Sequence, residues 1–215
     1  VLTILKEHFI EYIMTLTDLP AQITSLHEQS IIVWKQSGIT LREKGFLRLA
    51  EENHAFNYQL WHAEDRARRD DKGYEFVYLA KREIDHCNQE RNNRMEEMDV
   101  WLYKTLSPSP HTNCTVHSET PGMMIDRLSI LALKAYHMAI QTKRADVEPT
   151  HRQTCESKLA IIHEQQKQLT VCLSQLLEQV MNKTRTFRVY RQLKMYNDPA
   201  LNPELYVNRE LNNTE

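Results

Sequence analysis

Apolar residues recur at intervals of three and four over most of this chain, which is the spacing of one face of an α-helix. In the first half, these stripes predict four helices. Asp18 and Pro20 interrupt the first stripe, so we expect one helix to end there and the next to begin, with Gly38 closing the second. The predicted bounds are 2–16, 20–38, 40–69 and 74–106.

The second half predicts three further helices and a tail. A polar loop at 107–119 leads to Thr120-Pro121, a hydroxyl N-cap followed by proline at the first helical position, which begins a helix over 121–145. This helix is apolar nearly all round, so it belongs in the centre of a bundle. A stripe from Cys155 to Val180 predicts the sixth helix, and a shorter seventh covers 185–196 before a proline-punctuated tail at 197–215.

The pattern therefore predicts an all-α fold over 1–215: a single helical bundle of six to seven helices around a central apolar helix, with an extended C-terminal tail. The internal loop at 107–119 is expected to cross over within this domain rather than to divide it. Four glycines and seven prolines are too few for a sheet built from tight hairpins, which agrees with this prediction.

Charge and cysteine content narrow the class of protein. The net charge of -2 gives no general attraction to nucleic acid or to an anionic membrane. No apolar run approaches the ~20 residues of a membrane span, and no signal peptide is evident. The four cysteines lack CxxC spacing and are expected to be reduced thiols, so the expected location is cytoplasmic.

Polar residues interrupt the apolar faces of two neighbouring helices. At ~100° per residue, several polar positions of the third helix share one third of its circumference with the apolar stripe, and so are expected to point inward. Buried polar groups cost several kcal/mol when unpaired, so they must bind one another or a ligand. These residues are Asn57, Glu64 and Arg68 beside Trp61 on the third helix, and Asn88 and Arg91 on the fourth.

Two interpretations of these residues stay open. In the first they form a structural network, in which Glu64 pairs with Arg68 one turn on and Arg91 meets Glu64 or Asp65 across the helices. In the second they line a polar pocket for an anionic or hydroxyl-rich small molecule, with Trp61 as a stacking surface.

Further charged residues follow later in the chain. The central helix carries Asp126, Arg127 and Lys134, of which the two cations lie two turns apart on one side. A basic run from Lys183 to Lys194 contains no acid. It could hold phosphate, and the alternative is a solvated helix face.

The pairs Glu51-x-x-His54 and Glu83-x-x-His86 resemble the carboxylate–histidine pairs of di-iron bundles. Helical rotation places both pairs away from the apolar faces, so we predict no metal site and no cofactor.

A third motif, Glu96-x-x-Asp99, is similar to the acidic pairs of all-α nucleotide pyrophosphatases, with Glu64-Asp65 as the nearby second pair. This supports a metal-dependent nucleotide phosphohydrolase as one alternative. No nucleophile elbow, P-loop or dinucleotide fingerprint occurs.

Four segments together resemble the bacterial family known as domain of unknown function 4254. They are Asn57-Tyr-Gln-Leu-Trp61-His-Ala-Glu64-Asp65-Arg-Ala-Arg68, then Asn88-Gln89-Glu-Arg91-Asn92, Thr120-Pro121-Gly122 continuing to Lys134, and Lys194-Met195-Tyr196-Asn197-Asp198-Pro199 continuing to Tyr206. The family pattern has Asp where this chain has Asn93, so no carboxylate role is expected there. The resemblance implies a helical protein often encoded among surface-polysaccharide and lipopolysaccharide genes.

The leading hypothesis is a bundle that binds a sugar nucleotide or phosphorylated sugar in surface-glycan biosynthesis. Glu64 or Asp65 is the best candidate for acid/base chemistry, should catalysis occur. A second hypothesis is a scaffold protein for a glycosyltransferase, which predicts a large exposed apolar patch. The candidate ligand-binding residues are Asn57, Trp61, Glu64, Arg68, Asn88, Arg91, Asp126, Arg127, Lys134 and Lys194.

Overall fold

The computed structural model describes residues 2–193, 195 and 198–205, with side chains from Asp18 onward. Five α-helices occupy most of these residues, joined by one 3-10 turn at Asp70–Lys72 and two short strands. The predicted all-α bundle is confirmed. The elements are α1 (Leu2–Ser37), α2 (Gly45–Arg66), α3 (Tyr74–Leu106), β1 (Thr115–His117), α4 (Pro121–Thr142), α5 (Pro149–Met181) and β2 (Arg185–Phe187).

The central helix predicted from its all-round apolarity is α4. It contacts each of the other four α-helices, and Leu128 and Leu133 are fully buried. Its start also agrees with the prediction, because the Thr120 hydroxyl accepts a hydrogen bond from the backbone N–H of Met123 at 3.2 Å. The stripe of α5 faces the core as expected, with Leu169, Leu173 and Val180 among its buried members.

The predicted break at Asp18 and Pro20 is wrong, since α1 continues through Pro20. Proline inside a helix removes one backbone hydrogen bond and costs about 3 kcal/mol, so a continuous helix requires packing on both sides of the proline that offsets this cost. Here Leu19 and Ile23 are both buried in the main core, one on each side of the proline. In the next helix, α2 begins at Gly45 rather than near Thr40.

The predicted seventh helix at 185–196 is also wrong, because Arg185–Phe187 form strand β2. This strand pairs in parallel with β1, which lies inside the loop predicted at 107–119, in the register Thr115↔Arg185 and His117↔Phe187. Phe187 is 1% exposed and packs edge-on against Tyr103 of α3. An aromatic side chain preceded by threonine favours an extended backbone, and burial of Phe187 holds it there.

Two remaining predictions concern the ends and surfaces of the bundle. Of the tail predicted at 197–215, residues 198–205 are described and are mostly exposed, while 197 and 206–215 lie outside the described residues. None of the described helices combines the length and apolarity needed to cross a membrane. All four cysteines are free thiols, as predicted.

Candidate functional site

The buried carboxylate of Asp126 contacts polar side chains of α2 and α3 where these helices meet α4. Asp126 of α4 accepts hydrogen bonds from the side-chain amides of Asn53, at 3.0 Å, and Asn57, at 2.8 Å, both on α2. Its second oxygen lies 3.5 Å from the guanidinium of Arg91 on α3, which also donates to Asn57 Oδ1 at 3.0 Å. Because the partners come from three helices, this network fixes the position of the Arg91 guanidinium.

The network continues into the core through a hydroxyl and an imidazole. Asn57 donates to Ser129 Oγ at 3.0 Å, and Ser129 Oγ lies 2.7 Å from His54 Nδ1, in a hydrogen bond whose donor is set by the tautomer of His54. Burial lowers the pKa of His54 to about 3, so the ring is neutral. His27, whose ring centroid lies 4.5 Å from that of His54, also has a pKa lowered by burial.

The prediction that Glu51 and His54 face away from the core is wrong, since both are buried. The physical reason is that α2 packs against α1 and α4 as well as α3, so more than one stripe of the helix is covered. Glu51 accepts backbone N–H groups of Arg42 and Glu43 at 2.9 Å and so anchors the loop before α2. In the second pair, which was also predicted to face outward, His86 is exposed and Glu83 is partly exposed and forms an ion pair with Arg66.

Within the part of the chain that the structure describes, no group of three or more His, Cys, Asp or Glu side chains is arranged to hold a metal ion.

A cleft of about 360 Å³ opens in front of the buried network, between α2, α3 and α4. We call it the Arg91 cleft. Trp61 forms part of its wall and stacks on His137 of α4, with ring centroids 4.5 Å apart and an angle of 11° between the rings. The residues that line the Arg91 cleft are Asn57, Leu60, Trp61, Glu64, Asp65, Arg68, Asn88, Arg91, Ile130 and Leu133.

The structure thus brings the polar residues of the two predicted helix faces to one cleft, but Glu64 and Arg68 are not buried. The side chains of Glu64 and Arg68 are 42% and 70% exposed, and they form an ion pair at 2.7 Å. Glu64 lies in the last turn of α2, and Arg68 lies in the turn after the helix. Arg91 pairs with Asp126 rather than with Glu64 or Asp65.

Two predicted cations of α4 lie outside the Arg91 cleft. Arg127 and Lys134 are both exposed and line a neighbouring groove of about 410 Å³ between α4 and α5, which we call the Lys134 groove. Arg127 forms an ion pair with Glu119 at 3.0 Å. The Lys134 groove is lined by Arg127, Ile130, Leu131, Lys134, Gln165, Gln168, Leu169 and Cys172.

The acidic pair Glu96 and Asp99 has structural contacts far from Glu64 and Asp65. Asp99 is buried and accepts the backbone N–H of Gly122 at 2.7 Å, at the start of α4. Burial raises the pKa of Asp99 to about 6, against the lowering effect of its hydrogen bonds. Along α3 it lies about 16 Å from Asn88, which lines the Arg91 cleft, at 1.5 Å per residue. The two acidic pairs therefore do not form one metal site.

The basic run after α5 serves structural contacts. Lys183 donates to the backbone carbonyl of Leu106 at 2.8 Å. Glu96 accepts from Arg191 at 3.1 Å and from the backbone N–H of Gln192 at 2.7 Å, which ties the segment after β2 to α3. Lys194, predicted as a ligand-binding residue, lies outside the described residues.

Sequence reasoning did not single out Asn53, Ser129 or His54 as members of the network. A signal was present, because Asn53 lies one turn before Asn57 on the same stripe, and Ser129 lies three residues after Asp126. Nothing in the sequence indicated that His54 faces Ser129, since that contact depends on how α2 and α4 cross.

Comparison with known proteins identifies a family for this chain. No curated protein and no solved structure matches the chain. The family described as "Protein of unknown function (DUF4254)" matches residues 47–189, which include the Arg91 cleft, the Lys134 groove and the buried network. The match covers well over half of the chain, so this protein belongs to the DUF4254 family of proteins of unknown function.

Proposed function

We propose that the Arg91 cleft binds a sugar nucleotide or a phosphorylated sugar. The observation that carries the proposal is the guanidinium of Arg91, which Asn57 and Asp126 hold in place at a cleft of small-molecule size. A planar guanidinium matches the geometry of phosphate oxygens, and a guanidinium fixed in advance loses little entropy on binding.

The rest of the lining suits a ring that carries hydroxyl groups. Trp61 lines the cleft and stacks on His137, and an aromatic ring at this position offers a surface on which a base or sugar ring can stack. The carboxylates of Glu64 and Asp65 also line the cleft and can accept hydrogen bonds from sugar hydroxyls. If the bound sugar reacts, these two carboxylates are the candidates for proton transfer.

The family resemblance supplies the biological setting of the proposal. Proteins of this kind are expected among surface-polysaccharide and lipopolysaccharide genes, where sugar nucleotides are the common donors. We therefore place the proposed ligand in bacterial surface-glycan biosynthesis, in the cytoplasm.

A thermal-shift screen of sugar nucleotides and sugar phosphates, followed by titration calorimetry, tests the proposal. We expect at least one probe to stabilise the wild type, and Arg91→Lys to bind it about tenfold more weakly, the equivalent of one hydrogen bond. Arg91→Lys keeps the charge but loses the fork of donors. Arg144→Lys, at an exposed Arg–Asp pair on the turn after α4, is the matched control and should bind like the wild type. Equal binding by the wild type and Arg91→Lys would contradict the proposal.

A second candidate function, a scaffold for a glycosyltransferase, is favoured by one observation. The first two turns of α3 expose a run of large apolar side chains, with Tyr74 90% and Tyr78 and Leu79 each 59% exposed. Contiguous exposed apolar surface is typical of protein–protein contacts. In co-purification with a candidate glycosyltransferase, the double variant Tyr74→Ser/Tyr78→Ser should lose the partner that the wild type retains, and retention by the variant would reject this role.

A further inference from the structure

One face of α4 lies open between α3 and α5, and a hollow lies on each side of it. Ile130 lines both the Arg91 cleft and the Lys134 groove. Because the two hollows share a wall residue, they are adjacent, and a ligand that fills one can continue over Ile130 into the other. Volumes of about 360 and 410 Å³ are each near the low end of the ~300–1,000 Å³ typical of small-molecule sites.

Charged side chains of both signs line this surface. Glu64 and Asp65 lie in the same cleft as Trp61, together with Arg68, which pairs with Glu64, whereas the shared wall is flanked by Arg91 on one side and Lys134 on the other. Lys134 is exposed, and its ammonium forms no ion pair within the described residues, unlike Arg68, which Glu64 engages. A cation without an acidic partner is available to a ligand anion.

The helical geometry of α4 sets the separation of the two ends. Lys134 precedes His137, the residue that stacks on Trp61, by three residues, which is about 4.5 Å of rise along the helix. Ile130 lies about one further turn away on the same open face. The groups attached to a ring stacked on Trp61 can therefore lie beside Ile130, which lines one cleft with Arg91 and the neighbouring groove with Lys134.

We infer that the bound molecule is a nucleoside diphosphate or its sugar ester, and that it lies across Ile130. Its ring stacks on Trp61, its hydroxyls face Glu64 and Asp65, and its two phosphates lie between Arg91 and Lys134. This inference rests on the proposed function of the Arg91 cleft and adds the ligand class and the role of Lys134. A single phosphate can pair with Arg91 alone, whereas a second phosphate adds negative charge that Lys134, the cation on the other side of Ile130, can pair with.

Calorimetric titration of the full chain with paired probes tests the inference. The probes are UDP, ADP and GDP, each beside its own nucleoside, together with glucose 1-phosphate. The variants are Lys134→Gln and, as a matched control, Lys158→Gln, an exposed lysine of α5 outside both hollows. We expect Lys134→Gln to weaken binding of a diphosphate about fivefold without changing the affinity for its nucleoside, and Lys158→Gln to change neither.

The outcomes separate this inference from the proposed function. If the wild type binds a diphosphate and Lys134→Gln binds it equally well, the phosphates do not reach the Lys134 groove and the inference is overturned while the cleft proposal stands. The inference is also overturned, and the cleft proposal kept, if glucose 1-phosphate binds and no nucleotide does. If no probe binds the wild type and the thermal-shift screen finds no sugar nucleotide that binds, both are overturned. Loss of diphosphate affinity alone in Lys134→Gln supports both.

Discussion

Removal of the buried Asp126 carboxylate should destabilise the fold strongly. Asp126→Ala deletes the acceptor shared by Asn53 and Asn57 and leaves the Arg91 guanidinium without its carboxylate. Unsatisfied buried donors cost about 1–3 kcal/mol each, and removal of one member of a buried ion pair costs about 3–5 kcal/mol. Since Arg91 is 22% exposed and keeps some hydration, we expect a loss of about 3–5 kcal/mol in the free energy of unfolding.

Urea unfolding followed by far-ultraviolet circular dichroism measures this loss directly. The same loss should lower the melting temperature by roughly 6–20 °C for a chain of this length. Asp146→Ala is the matched control, because Asp146 also pairs with an arginine but is fully exposed, and its removal should leave the unfolding midpoint unchanged. A loss below about 1 kcal/mol for Asp126→Ala would refute the network as described.

A double-mutant cycle separates the ion pair from the rest of the network. Asp126→Ala and Arg91→Ala should not add, and we expect a coupling free energy of about 0.5–3 kcal/mol because the two side chains share partners. Strict additivity would show that Arg91 and Asp126 act independently, and the Arg91 guanidinium would then not be fixed by Asp126.

Three further predictions follow from buried groups. The folded pKa of Asp99, about 6, lies above its ordinary 3.8, so its contribution to stability is present below about pH 4 and is lost as the pH rises through 6. Relative to Asp99→Asn, the wild type should therefore lose about 2 kcal/mol between pH 4 and 7 in urea titrations, and parallel pH profiles would contradict this. Gly122→Ala should cost about 1–3 kcal/mol, because its Cβ would lie 2.5 Å from a backbone oxygen of α3, and wild-type stability would refute the close contact. His27→Phe should leave the melting temperature unchanged or raise it, because neither ring nitrogen of His27 has a hydrogen-bond partner within the described residues. His54→Phe should lower the melting temperature, because it removes the hydrogen bond to Ser129. The reverse order of the two melting temperatures would contradict these contacts.

Most of the fold was predictable from the sequence because periodicity reflects burial directly. The stripes of α3, α4 and α5 correspond to the faces that are buried, and Thr120-Pro121 begins α4 as its N-cap chemistry requires. The break predicted at Pro20 was wrong because a proline is a local signal. The packing of Leu19 and Ile23 that keeps α1 continuous involves residues far away in the sequence. The helix predicted at 185–196 was wrong because Phe187 belongs to a strand whose partner, His117, lies about 70 residues away in sequence.

Part of the site was also predictable, and the remainder depended on how the helices cross. Asn57 and Arg91 were placed on packing faces by rotation alone, and they do meet. The partner of Arg91 could not be assigned from α2 and α3, because Asp126 comes from α4. Helical rotation also placed Glu64 inward, but rotation carries no information about how far neighbouring helices cover α2, and the Glu64 side chain in the last turn of α2 is 42% exposed.

The central claim is that the fixed guanidinium of Arg91 and the ring of Trp61 form a binding site for a phosphorylated sugar or nucleotide. A crystal structure of the protein with the strongest binder from the thermal-shift screen tests it most directly. We expect a phosphate oxygen about 2.7–2.9 Å from an Arg91 nitrogen and a ring stacked on Trp61. A ligand bound elsewhere, with Arg91 still engaged only by Asn57 and Asp126, would contradict the claim and leave the polar cluster as a structural network.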